Sequence, residues 1–300
     1  MAHHYAMGLL MTGLLATASA QAAEHRETFM PENDLNLQDC RDCESGAGLT
    51  EAQFNATIDK AEKIFSPIIQ AHGGRMSVAR LWNDSTVNAS ALQIFNLWQV
   101  NMYGGLARRP EITVDGFTLV LCHEIGHHLG GFPFVSYWGA DEGEADYFAT
   151  HVCPALWWSD EANINASSRG TVPLAAKNAC DDIYKTEAAQ NLCYRSMLAS
   201  KSTADLLGAL RHGTVSFDQH DEHVVDQTDH AHPAAQCRLD TYAAATICTQ
   251  PWDLSIIPGK RGFFPDNGRG GEQDSANFTC TASGQYQVGL RPRCWFKPTL

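Results

Sequence analysis

Apolar residues recur three and four apart between positions 54 and 68. Phe54, Ile58, Ala61, Phe65 and Ile68 fall on one face of a 3.6-residue repeat. The stretch opens on Thr50-Glu51-Ala52-Gln53, a capping box whose two side chains can satisfy N–H groups of the first turn, and Gly73-Gly74 ends it. The stripe predicts a core-facing helix and carries no functional meaning. Residues 76–82 and 92–103 read instead as strands of a small sheet. The block Phe117-Thr118-Leu119-Val120-Leu121 has no polar face, which predicts a helix over about 115–130 buried on most sides, closed by Gly130-Gly131. Further helices are expected at 141–153, 182–198 and 201–211. The class predicted is α+β.

Within the apolar helix stands His123-Glu124-Ile125-Gly126-His127. Histidines four apart lie one turn apart on the same face, so both imidazoles can reach one metal ion, while Glu124 is rotated off that face beside the ion's water. The pattern also arises by chance, in surface or core helices. The apolar block before it, the glycines after it and a carboxylate-bearing helix beyond it favour the metal site. Fifteen positions past His127 comes Glu142-Gly143-Glu144-Ala145-Asp146. Glu142 and Asp146 share a helix face, whereas Glu144 points roughly 200° from Glu142. Glutamate reaches further than aspartate, which makes Glu142 the third ligand and leaves Asp146 to hydrogen-bond a ligating histidine and fix its tautomer. Glu144 reads as a solvated helix residue and His128 as a non-ligand. A third histidine at 133 would complete a metzincin pattern, but that position is Pro133. Three ligands and an open fourth position characterise catalytic zinc, which lowers the pKa of its water to about 7. One Zn2+ per chain is expected, with Glu124 moving the proton from water to a leaving amine.

The chain resembles the HtpX-like and CAAX-prenyl-protease-type gluzincin peptidases, particularly their soluble periplasmic branch. Asn88-Ala89-Ser90-Ala91 is similar to that family's N-A-x-A segment, and Val100-Asn101-Met102-Tyr103-Gly104-Gly105-Leu106 to its strand ending in Gly-Leu. The two metal motifs follow in order, and His232-Pro233 with Arg238-Leu239 resembles its H-P-x-x-x-x-R-[IL] motif. The likeness spans about residues 76–245. It implies a gluzincin-like domain, a small sheet with a metal-binding helix and a following ligand helix, and zinc endopeptidase activity. It also implies that the strand before the metal helix is an edge strand that pairs with extended substrate. His232 would come near the catalytic centre, as an oxyanion donor or as a plug in the open zinc position; the alternative is a histidine that merely caps a helix before Pro233. The fourteen residues between His127 and Glu142 are fewer than the family places there, and the membrane spans of many relatives are missing.

Composition sets the surroundings. A net charge of −13 disfavours nucleic acid and anionic membrane surfaces as partners. The apolar run at 7–17, followed by Ala18-Ser19-Ala20 and Ala20-Gln21-Ala22, reads as a signal peptide over 1–22, too short to span a membrane. An exported chain, periplasmic or secreted, is therefore expected. Its ten cysteines suit disulfides, which nearness in sequence would pair as Cys180–Cys193, Cys237–Cys248 and Cys280–Cys294, with Cys122–Cys153 tying the metal helices. Cys40-x-x-Cys43 lacks the strand-to-helix context of a redox pair. The expected organisation is an irregular segment over 23–48, a metallopeptidase domain over 49–245 and a disulfide-stapled appendage over 246–300. The His- and Asp-rich stretch 217–232 reads as a solvated loop. The function expected is zinc-dependent hydrolysis of extended or misfolded polypeptide. A metal-bearing chaperone-like module with an occluded site and a zinc hydrolase of cell-wall peptides are the alternatives.

Overall fold

The computed structural model describes residues 26–35, 48–159, 171–211, 213–262 and 264–299. The leader expected at 1–22 and the Cys40–Cys43 pair lie outside them. Helix α1 (Glu51–Ala71) begins at the expected box: Thr50 Oγ1 accepts from Gln53 N–H at 3.3 Å, and Gln53 Oε1 accepts from Thr50 N–H at 2.9 Å. Its buried stripe ends on Ile69 in place of Ile68.

Behind α1 lies a four-stranded sheet of β1 (Arg26–Thr28), β2 (Arg75–Leu81), β3 (Ala89–Ile94) and β4 (Leu97–Tyr103), in the order β1-β3-β4-β2. β2 pairs parallel to β4; the other two pairings are antiparallel. The strand expected over 92–103 is thus a hairpin. Neither Gly nor Pro marks its turn, so the apolar pattern reads through it, but Phe95 takes φ 53° and is 90 % exposed. As a result β4, the expected edge, is interior. The polar segment Arg26–Thr28, expected to be irregular, forms an edge of the sheet because β3 offers it an open ladder.

After the short α2 (Gly104–Ala107) come the apolar helix α3 (Val114–Leu129), then α4 (Glu142–His151) and α5 (Cys153–Trp158). Helices α6 (Leu174–Ile183) and α7 (Glu187–Ala209) replace those expected at 182–198 and 201–211. α7 runs unbroken through Ala199 and Ser200, both buried, with Ser200 Oγ bonding Ser196 O at 2.7 Å. α8 (Ala235–Thr246) packs on α4 and α7, and α9 (Arg269–Ser275) follows a two-stranded ribbon, β5 (Lys260–Arg261) and β6 (Phe264–Pro265). The architecture is α+β. Among the described residues no helix is long and apolar enough to cross a membrane.

Residues beyond 246, expected as an appendage, contribute Ile257, Trp295 and Phe296 to the main core. The Trp295 indole lies against Gly143, where an added Cβ would come within 2.3 Å of the ring, and its Nε1 donates to Thr241 Oγ1 at 3.0 Å. That return of the chain explains the disulfides. Cys122–Cys153 and Cys180–Cys193 form as expected, but Cys294 is carried to Cys237, leaving Cys248 to bond Cys280. Four such bridges fit a chain that matures in an oxidising compartment.

Candidate metal centre

Packing of α3 against α4 brings the two motifs together. Thr113 caps α3, and every residue from Gly116 to Leu129 is buried, so the histidines are held on a helix without a solvent face. Gly131, at φ 79°, lets the chain turn back: a Cβ there would meet Pro258 O at 2.2 Å. Asp141 then caps α4 by accepting from Glu144 N–H at 2.9 Å. Glu142 thereby sits in the first turn of α4, where the helix dipole favours a carboxylate.

The three expected ligands converge. His123 Nε2 lies 3.1 Å from His127 Nε2 and 3.2 Å from Glu142 Oε2, and His127 Nε2 lies 3.5 Å from Glu142 Oε1. An ion bound tetrahedrally at zinc distances keeps its ligand atoms about 3.3 Å apart. The two imidazole nitrogens and the carboxylate facing them are spaced on that scale, and these three side chains can hold a metal ion. Both imidazoles are turned for it. His123 Nδ1–H donates to Asp146 Oδ1 at 2.8 Å and His127 Nδ1–H to the Ala140 carbonyl at 2.8 Å, so each Nε2 is aimed at the other ligands. The carboxylate oxygens of Glu142 and Glu124 are buried and form no hydrogen bond with the described residues. Such orphaned acceptors are costly unless a cation satisfies them.

Asp146 occupies the expected place behind His123, and its own partners are side chains that sequence reasoning missed. Arg238 donates Nε to Oδ2 at 2.6 Å and Nη2 to Oδ1 at 2.7 Å, and Tyr242 donates its hydroxyl to Oδ1 at 2.6 Å. Arg238 had entered only as part of a motif, and nothing marked Tyr242 except its spacing of four from Arg238 on α8. His232 reaches the same centre, its Nε2 3.6 Å from Glu142 Oε1. His128 is a non-ligand: its ring is stacked between Trp98 and Trp138, with centroids 5.2 and 4.8 Å away. The stretch 217–232 is irregular, as expected, yet pinned to the C-terminal segment by Val225 N–H to Arg293 O and Asp229 N–H to Trp295 O.

Glu144 corrects the expectation of a solvated residue. It is wholly buried and accepts from Arg291 Nε at 2.6 Å. Rotation away from the metal side turned it into the C-terminal segment, not into water.

Charge is distributed unevenly over the ligands. Burial opposes protonation of His123, but Asp146 and Glu142 more than offset this and lift its pKa to about 9, whereas burial drives His127 down to about 4. Despite burial, the His123 ring 3.2 Å away, with His127 and His232 beside it, holds Glu142 below the usual carboxylate range. A metal must consequently displace one proton, from His123. The sign follows: affinity rises about tenfold per pH unit up to about 9 and then levels. Asp146→Asn flattens this rise and weakens metal binding about 10–100-fold. Competition titrations against a chelator at several pH values check both; a pH-independent affinity in the unaltered chain would contradict the assignment.

No family model, curated protein or solved structure matches the chain.

Proposed function

We propose that the chain is a zinc endopeptidase that hydrolyses extended polypeptide, with a gluzincin-like domain and one zinc held by His123, His127 and Glu142. The observation that carries the reading is the convergence of His123, His127 and Glu142, with the buried Glu124 carboxylate, which makes no hydrogen bond with the described residues, one residue from His123. Zinc, when bound, supplies Lewis acidity and makes water reactive near neutral pH. In the reaction water adds across the amide, its oxygen going to the carbonyl carbon and a proton to the departing nitrogen. Glu124 is the proton carrier. Burial raises its carboxyl well above the usual range, which suits a group that must take a proton and release it again. His232 Nε2–H donates to the carbonyl oxygen as it gains charge, and Asp146, clamped by Arg238 and Tyr242, holds His123 in register.

Burial of the centre favours one second reading, a metal-bearing binding module with an occluded site. Digestion of unfolded casein by the zinc-loaded chain separates the two: cleavage that a chelator abolishes and zinc restores supports the peptidase, and its absence supports the module. His232→Ala tests the oxyanion role. The rate is expected to fall about 100-fold with zinc content unchanged; a higher rate would instead mark His232 as a plug.

A further inference from the structure

His123 and His127 are 0 % exposed and Glu142 is 2 % exposed. A peptidase must nevertheless admit a chain. The first described strand lies across the centre. β1 runs antiparallel to β3, with Glu27 opposite Ala91 and Thr28 opposite Ser90, and Phe29 N–H extends the ladder to Ala89 O at 3.1 Å. Residues two apart on a strand share a face, and Glu27 and Phe29, both buried, turn inward together. The Phe29 ring stands edge-on to His123 at 5.2 Å, with the Arg238 guanidinium over it at 4.5 Å. Glu27 packs against Gly139, where an added Cβ would lie 3.5 Å from its Cγ and Oε1.

Two successive carbonyls of this strand are gripped by side chains of the centre. His232 Nε2 donates to Thr28 O at 2.6 Å, and Arg238 Nη1 donates to Phe29 O. Those are the bonds a bound substrate needs on either side of its scissile amide: one donor on the carbonyl under attack and one on the next. The strand is also held against a desolvation penalty, since the Glu27 carboxyl is buried, 7 % exposed. A cavity of about 210 Å³ lined by Pro31, His232 and Arg238 adjoins it.

We propose that Arg26–Met30 occupies the place of a substrate strand, with the Thr28–Phe29 amide where a scissile bond is held, so that the folded chain is autoinhibited until an extended polypeptide displaces this strap from β3. The displacing chain pairs with β3 through its backbone and carries a large apolar side chain, in the position of Phe29, just after the bond that breaks. The inhibitory meaning rests on the peptidase reading; occupancy of the β3 edge does not.

The test uses the zinc-loaded full chain and its Glu27→Ala/Phe29→Ala variant, with two readouts. Zinc removal by a chelator is expected to be about 10–100-fold faster in the variant, and cleavage of a peptide with Phe after the scissile bond to rise by a similar factor. A synthetic peptide of sequence Arg-Glu-Thr-Phe-Met-Pro, with its Thr–Phe amide replaced by a ketomethylene group that keeps the carbonyl but resists cleavage, should slow zinc removal from the variant again. This add-back distinguishes an opened site from an unfolded one, and Phe29→Gly alone serves if the double variant does not fold. Fast zinc removal with peptide protection but no cleavage keeps the strap and overturns the peptidase. Equal zinc removal in both proteins, no protection by peptide and equal cleavage overturn the strap and keep the peptidase.

Discussion

Glu124→Gln is expected to retain one zinc per chain while peptide cleavage falls by about 10²–10⁴-fold. Glu124 is not one of the three side chains that can hold a metal ion, so metal content has no reason to change. Neither of its oxygens makes a hydrogen bond with the described residues, so the amide breaks no network that supports the fold. Burial already raises the carboxyl well above its usual range, and replacing it with a neutral group of the same shape should leave stability level or improved. What is lost is the capacity to carry a proton. Metal analysis and a digest of the same preparation read both halves of the expectation. Near-normal turnover with a full zinc complement would remove Glu124 from the chemistry, and loss of zinc would make it a ligand.

The legible part of this molecule is the part governed by local periodicity. The α1 cap, the buried α3 and the pairing of Glu142 with Asp146 on one face of α4 each follow from a spacing within a single element. What was hidden depends on partners far along the chain. Arg26-Glu27-Thr28 carries no strand pattern of its own, because its place is set by the free edge of β3, more than sixty residues later. The hairpin at Phe95 was hidden for the opposite reason: apolar residues continue through a turn that lacks its usual glycine. At the metal centre, the ligands were readable because helix geometry is local. The groups that orient them were not, since Arg238 and Tyr242 meet Asp146 only when α8 packs on α4.

Glu144 shows what such a remote partner is worth. Arg291 is buried, lies 147 positions away, and places its guanidinium 5.5 and 5.0 Å from the ring centres of Tyr147 and Phe296. Its other bonds are to neutral groups, Nη2 donating to Phe132 O at 3.1 Å and to Ser275 Oγ at 2.7 Å. Burial pushes the Glu144 carboxyl up to about 8 while the Arg291 guanidinium opposes this, so above that pH Glu144 supplies the negative charge directly bonded to Arg291. Glu144→Ala leaves a buried cation without that partner, and removing one member of a buried pair costs about 3–5 kcal/mol. Against a domain stability of about 5–15 kcal/mol, this is a large fraction. The variant should unfold at much lower denaturant concentration, with the metal ligands chemically intact. A second substitution separates loss of the pair from loss of packing. Glu144→Leu combined with Arg291→Met removes both charges while keeping apolar volume, and should recover most of the stability. Denaturant melts of the three proteins under saturating zinc measure the effect. A cost below about 1 kcal/mol for Glu144→Ala, the range of an exposed pair, would return Glu144 to the solvated role that helix rotation alone suggested.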